Sequence, residues 1–398
     1  MKKILLLGGS NQQLVAINKT KELGYYTVLC DYLPDNPGRL IADKYYQEST
    51  TDIPAILRIA GDEKIDGILA YASDPAAPTA AYIAEKMGLP SNPFESVNIL
   101  CNKNLFRQYL KENGFNSPDY RTCDNRDDAI DTARLFPLPF ILKPVDSSGS
   151  KGVAVIRDRN GLGAKIDYAF SFSRSHKVIL EQFIERNHEY LIGGDIFVND
   201  GKIVIWGLMN CYRDNDLNPL VPSGKSYPVR ISDADLKKVK TTLQQLISKL
   251  GIRFGPMNVE LIVDKNGEVW PIDIGPRAGG NMIPDLMEMI FDVDIVDLSI
   301  RNAMGESVDC RPSDGKPYYA THNIHTDRDG IIKSVRFDEE LEQFIVRKAI
   351  YVEPGDEVHT FINSAKALGI IFMKFDNENR MDRYLKNIKQ YIHIIWDE

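Results

Sequence analysis

Gly255–Asn281, GPMNVELIVDKNGEVWPIDIGPRAGGN, is the stretch that decides the fold. It reads as a β-hairpin carrying two acids, followed at once by an arginine and a glycine pair. Asp264-Lys265-Asn266-Gly267 is the turn signal, Asn-Gly being a strong short hairpin cue. A loop centred on Lys265-Asn266 sets Glu260 opposite Pro271, and one centred on Asn266-Gly267 sets it opposite Asp273. Side chains alternate faces along a strand, so either register leaves Glu260 and Asp273 on one face, as opposite or diagonal neighbours. Val259, Leu261, Val263, Trp270, Ile272 and Ile274 then share the other face as a core. Two carboxylates this close repel each other unless a cation sits between them. Magnesium takes one or two protein carboxylates and completes its sphere with phosphates and water. In that reading Arg277, just past the second strand, faces a phosphoryl group. Alone, the segment reads equally as a surface hairpin with two solvated acids; the rest of the chain separates the two.

The chain has 398 residues, enough for two or three domains with sizeable cores. Hydrophobic content of 43% and charged content of 26% are those of an ordinary soluble protein. A net charge of −8 with no Lys/Arg block argues against nucleic acid as a partner, while leaving room for a small anion in a local basic pocket. Cys30, Cys101, Cys123, Cys211 and Cys310 are scattered, without CxxC spacing, which implies reduced thiols and a cytoplasmic location. The opening Met-Lys-Lys with ILLLGG is too short for a signal sequence, and no apolar run is long enough for a membrane span.

The first hundred residues alternate strand and helix. Lys3–Leu7 reads as a buried strand, Gly8-Gly9-Ser10 as a turn, Gln12–Leu23 as a helix, and Tyr26–Cys30 as a strand ending in Asp31. This order implies a parallel sheet with helices on both faces and a ligand crevice near Gly8, Gly9, Ser10 and Asp31. A longer helix runs from about Glu95 to Asn113. The pattern then becomes strand-rich, with a hairpin at Asn199-Asp200-Gly201, a long loop from Asn210 to Pro228, and a helix N-capped by Ser232. Ile283–Met304 is mainly helical, and Pro118 and Pro312 mark domain breaks.

Three further features carry chemistry. In Ile141–Val153, Lys143 near the end of an apolar strand leads into the loop Ser147-Ser148-Gly149-Ser150-Lys151-Gly152, whose small residues let backbone N–H groups approach phosphate oxygens. Ser223-Gly224-Lys225-Ser226 ends like a Walker A motif, but Pro219 stands where the first glycine is required. Glu181 interrupts the apolar run Val178–Ile184, a position from which it and the backbone of Phe183 and Ile184 reach an adenine edge, with Glu189 beyond for ribose. Lys103 and Arg107, one helical turn apart, read alone as a basic helix face.

Together these residues resemble the ATP-grasp superfamily, in particular carboxylate–amine ligases built like biotin carboxylase and the purine-pathway synthetases. The resemblance covers roughly residues 1 to 305. It implies an α/β and α+β fold: a Rossmann-like domain (1–117), a small lobe or lid (118–185), a large lobe with the metal site (186–311) and a C-terminal subdomain (312–398). It also implies roles. Lys103 and Lys143 hold ATP phosphates, and Ser148, Gly149, Ser150 and Gly152 form a flap over the β- and γ-phosphates. Glu181, Phe183 and Ile184 bind adenine, and Glu189 binds ribose. Glu260 and Asp273 ligate one or two Mg²⁺, for which Mn²⁺ substitutes. Arg277 stabilises the transferring phosphoryl group, and Lys225 is a further phosphate or substrate contact. The implied reaction activates a small-molecule carboxylate as an acyl phosphate and couples it to an amine, releasing ADP and phosphate; homodimers are common among similar enzymes. Two departures stand out: the family has Glu and Asn where this chain has Asp273 and Gly275. A regulatory nucleotide-binding relative with lost turnover is the main rival. A nicotinamide-dependent oxidoreductase is a weaker one, since Gly8–Gln13 lacks spaced glycines.

Overall fold

The structure, a computed structural model, describes residues 1–397. Lys3–Leu7 (β1), Tyr26–Asp31 (β2), Lys44–Gln47 (β3) and Gly67–Leu69 (β4) form a parallel sheet in the order β3-β2-β1-β4. The unbroken apolar run of β1 follows from cover on both faces. Ile4 and Leu6 pack with Leu14–Glu22 (α1), while Leu5 and Leu7 pack with Ile53–Glu63 (α2) and Ala77–Met87 (α3). The crevice expected at Gly8, Gly9, Ser10 and Asp31 is filled from within. Gly9 N–H donates to Asp31 Oδ2 at 2.8 Å, and Ser10 N–H and Oγ both donate to Gln13 Oε1 at 2.9 Å. The turn therefore offers no open phosphate cradle, and the oxidoreductase reading loses its binding site.

The long helix expected from Glu95 to Asn113 is two helices, Phe94–Cys101 (α4) and Lys103–Glu112 (α5). Asn102 between them is extended (φ −120°, ψ 110°), and Lys103 N–H donates outside the helix, to Val145 O at 2.9 Å. This break puts Lys103 at the first turn of α5, beside the strand that carries Lys143.

Tyr120–Cys123 (β5), Phe140–Pro144 (β6), Ala154–Ile156 (β7) and Val178–Gln182 (β8) make an antiparallel sheet in the order β5-β8-β6-β7. Arg126–Leu135 (α6) and Leu162–Ser171 (α7) share its core. The largest sheet holds Leu191–Asn199 (β9), Lys202–Asp214 (β10), Asn218–Tyr227 (β11), Phe254–Val263 (β12) and Val269–Gly275 (β13). The stretch from Asn210 to Pro228, read as a loop, is thus mostly strand. Pro222 sits opposite Arg213 where the β10–β11 register shifts, so its missing N–H breaks no regular ladder. Asp233–Lys249 (α8) covers the sheet face opposite Glu260 through Val239, Leu243, Leu246 and Ile247, each contributing roughly 1.5–3 kcal/mol. Ile283–Phe291 (α9) packs on part of the other face, followed by Ile295–Ala303 (α10).

The tail supplies Tyr319–Ile324 (β14), Gly330–Phe337 (β15), Ile345–Ile350 (β16), Glu357–Val358 (β17), Gly369–Lys374 (β18) and Ile392–Trp396 (β19). Three of these strands continue the large sheet, whose order is β13-β12-β9-β10-β11-β14-β18-β16, and the others form the small sheet β17-β15-β19. Among the described residues no helix is long and apolar enough to cross a membrane, and all five cysteines are free thiols.

Candidate active site

The acid hairpin forms, but its turn is neither of the two-residue loops considered. Val263 pairs with Val269 across Asp264–Glu268, and Leu261 pairs with Pro271. Continued unchanged, that register would set Glu260 opposite Ile272 and turn Asp273 toward the core. A one-residue bulge at Ile272 restores the pairing, so Glu260 lies directly opposite Asp273 and Asn258 opposite Gly275. The bulge also corrects the expected core face. Val269, Pro271 and Ile274 are buried with Val259, Leu261 and Val263, whereas Trp270 and Ile272 are only partly buried.

Arg107 holds this bulge. Its side chain is 0% exposed, and it donates to the carbonyls of Ile272 at 2.6 Å and Pro271 at 3.4 Å. Its Nε and Nη2 also grip the two oxygens of Glu181 at 3.0 and 3.2 Å. Read from sequence as part of a basic helix face, Arg107 is instead a buried tie between α5, β8 and β13. Lys143 joins it, with Nζ 2.7 Å from Glu181 Oε2. The Glu181 carboxylate is engaged within the protein on both oxygens, so it is not held out toward a base. Burial pushes its pKa up, but Arg107 and Lys143 pull harder and leave it below the usual value.

Two buried cations around one anion leave an excess of positive charge facing Asp273. Lys103 Nζ is 3.8 Å from Asp273 Oδ2 and donates to Ser147 O at 2.8 Å. Enclosure raises the Asp273 pKa, yet Lys103, Lys143, Arg107 and Arg277 outweigh it and hold the carboxyl below its ordinary range, although the side chain remains 43% exposed. Burial is also the main reason the Lys143 pKa falls to about 8, with Arg107 and Lys103 acting the same way and Glu181 opposing. Above about pH 8 Lys143 therefore loses its proton in the absence of nucleotide, and a bound anion would restore it. Titration calorimetry with a non-hydrolysable ATP analogue should show Kd rising about fivefold between pH 8 and 9. Lys143→Arg, which keeps its charge, should flatten that dependence.

Glu260 pairs with Gly193 on β9, and Lys225 lies over that glycine. Lys225 is buried and donates to Cys211 Sγ at 2.9 Å. Arg213 donates to Glu260 Oε1 at 3.2 Å. Asp195, wholly buried, accepts from Asn258 Nδ2 at 2.8 Å and Gly279 N–H at 2.7 Å, which anchors the Gly279-Gly280 loop. Arg277 makes an ion pair with Asp74, from the turn between β4 and α3. Arg107, Arg213, Asp195 and Asp74 were all missed as site residues. Arg107 carried only the signal of a basic helix face and the other three none, because each acts through a partner distant in sequence.

The flap bends at Ser150 (φ 59°), whose Oγ donates to Leu220 O at 2.8 Å, so it leans on the edge of β11. Gly149 is exposed and Ser148 partly buried. Gly152 (φ 73°) is packed so closely that a Cβ would lie 2.7 Å from Pro144 Cγ. Phe183 and Ile184 are partly buried just past β8, with Arg157 over the Phe183 ring at 5.4 Å. Glu189 stands apart. It is mostly exposed and pairs with Lys386 of the tail at 3.4 Å rather than with the other site residues.

Among the described residues no three His, Cys, Asp or Glu side chains already converge as a metal cage. The paired Glu260 and Asp273 nevertheless fit a hard cation that takes its remaining oxygens from phosphate and water. Residues 136–285 match the family profile described as "ATP-grasp domain". An uncharacterized protein, y4rH, of Sinorhizobium fredii is 28% identical over 78% of this chain and 64% of its own length. The carbamoyl phosphate synthase large chain of Pseudothermotoga lettingae is 26% identical over 65% of this chain but only 23% of its own. The chain thus spans less than two thirds of either relative. Among solved structures, L-amino acid ligase from Bacillus licheniformis superposes with a TM-score of 0.81 at 19% identity, covering 100% of this chain and 99% of that one. Phosphoribosylglycinamide synthetase from Anaerococcus prevotii gives 0.76 at 22% identity, covering 100% of both. Residues 136–285 thus match the ATP-grasp domain family, within a chain whose fold resembles these two enzymes from end to end.

Proposed function

We propose that the protein is an ATP-dependent ligase that activates a carboxylate as an acyl phosphate and joins it to an amine, forming a C–N bond. The observation that carries this reading is the acid pair of Glu260 and Asp273 facing Lys103 and the buried cations around Glu181. Such a crevice suits a triphosphate with its divalent ion. Lys103 and Lys143 bind phosphate oxygens, and the Ser148–Gly152 flap covers them. The backbone at Phe183 and Ile184 meets the adenine edge. Glu260 and Asp273 would hold magnesium, which neutralises charge on the phosphates when bound. The substrate carboxylate attacks the γ-phosphorus in line and ADP leaves; the amine then attacks the acyl carbon, loses a proton and expels phosphate. Arg277 and Lys225 supply fixed positive charge to the transferring group and the carboxylate. Catalysis by positioning and charge, without a covalent nucleophile, is the usual division of labour in phosphoryl transfer.

An array of carboxylic acids crossed with amines, scored by ADP formation and by hydroxylamine trapping of the acyl phosphate, tests the proposal. A carboxylate that stimulates ADP release and yields a hydroxamate supports it. Tight nucleotide binding with no ADP release under any carboxylate would overturn it. That outcome would favour the regulatory reading, which the engagement of Arg277 by Asp74 also fits.

A further inference from the structure

We infer that the acid activated by this protein is a short aliphatic carboxylate of the size of acetate or propionate, seated in a small cavity behind Arg277. This rests on the proposed ligase reading and adds to it the size and chemical class of the acid.

The cavity has a volume of about 100 Å³ and lies between the N-terminal parallel-sheet domain and the large sheet. Ala77, Ala80 and Ala81 of α3 line one side, and Phe254, Arg277 and the end of α10 line the other. Most of its wall is apolar, and its polar side chains fall into two groups. Ser91 Oγ donates to Asn92 O at 2.8 Å, Asn92 Nδ2 to Phe254 O at 2.8 Å and Ser299 Oγ to Ile295 O at 2.6 Å, so these are already engaged. Arg277 Nε and Asn302 Nδ2 are buried and have no hydrogen-bond partner. Asp74 occupies Arg277 Nη2 and the Ala278 carbonyl accepts from Nη1, which leaves Nε as the free edge of the guanidinium. A buried donor with nothing to donate to is costly, so these two mark where acceptor atoms belong. In so small a space the two oxygens of one carboxylate serve both. Volume then limits the rest of the acid. An apolar cavity of ~150 Å³ takes a benzene ring, so this one takes roughly four or five heavy atoms. A carboxylate with one or two further carbons fills it, its alkyl end against the three alanines. Bicarbonate is small enough, but its third oxygen would be buried against alkyl groups without a donor. Arg277 also lies against Gly275, where a Cβ would come 3.0 Å from Cζ, so the cavity adjoins the strand that carries Asp273.

The test is ADP release by the full chain, with hydroxylamine as the amine, across formate, acetate, propionate, butyrate, hexanoate and bicarbonate. Turnover per KM is expected to peak at acetate or propionate and to be roughly tenfold lower or more for hexanoate and bicarbonate. Asn302→Leu, of similar volume but without the donor, should raise KM for the preferred acid roughly tenfold while kcat changes little. Asn302→Asp, which keeps the shape and sets a negative charge against the carboxylate, should raise KM at least as far. Ala80→Val, which takes up part of the space, should move the preference toward formate, a shift that a merely structural role for this wall would not give. Turnover only with acids outside this size range, or an unchanged KM in both Asn302 variants, overturns the cavity assignment alone. An absence of ADP release with every acid, in this series and in the wider array, overturns the ligase reading as well.

Discussion

Arg107→Ala is expected to destabilise the fold by about 3 kcal/mol, read as a lower urea midpoint at unchanged m-value. The variant leaves Glu181 buried with only Lys143 for a partner, and strips two carbonyls of the Ile272 bulge of their donor. Breaking a buried ion pair costs roughly 3–5 kcal/mol, and the surviving Lys143 contact places this case at the lower end. The loss should reach function as well. Once the bulge relaxes, the register set by Val263–Val269 turns Asp273 away from Glu260, so Mn²⁺ affinity in the presence of nucleotide should fall with stability. Arg107→Lys should recover little of either, since an ammonium cannot fork to Glu181 and still reach β13. Full stability in Arg107→Ala would show that the bulge holds without its clamp.

Glu260→Ala and Arg277→Ala are expected to lower ADP release by roughly 10²-fold or more, the usual cost of removing a charge-stabilising group. Glu260 lies near the open crevice with its side chain 28% exposed, so its loss should leave the urea midpoint nearly unchanged. Arg277 is more enclosed, and its removal also releases Asp74, so a modest stability loss should accompany the rate loss. The two should separate by mechanism. Glu260→Ala should be partly rescued by raising Mg²⁺, whereas no metal concentration replaces a guanidinium. Near-wild-type turnover of either purified, folded variant would remove that residue from the machinery.

The hairpin acids, the Lys143 loop and the βα alternation of the first domain could all be read from sequence, because each depends on local turn chemistry and periodicity. The same local reading put Lys225 in a loop rather than a strand. Pro219, Pro222 and Gly224 look like loop punctuation, yet they lie in a strand whose register shift absorbs Pro222. It also ran α4 and α5 together, since only the tertiary contact of Lys103 N–H with Val145 marks the break at Asn102.

By itself the sequence determined that two acids share a hairpin near an arginine, that a Gly/Ser loop follows a strand lysine, and that a parallel-sheet domain comes before both. Tertiary structure alone decided that the acids face one another, that Glu181 is clamped rather than free, and that Asp74 reaches Arg277 across 203 residues. The physical reason is range. Alternation and turn preference act over a few neighbours, whereas a bulge held by a buried guanidinium and an ion pair between domains exist only once distant segments have packed.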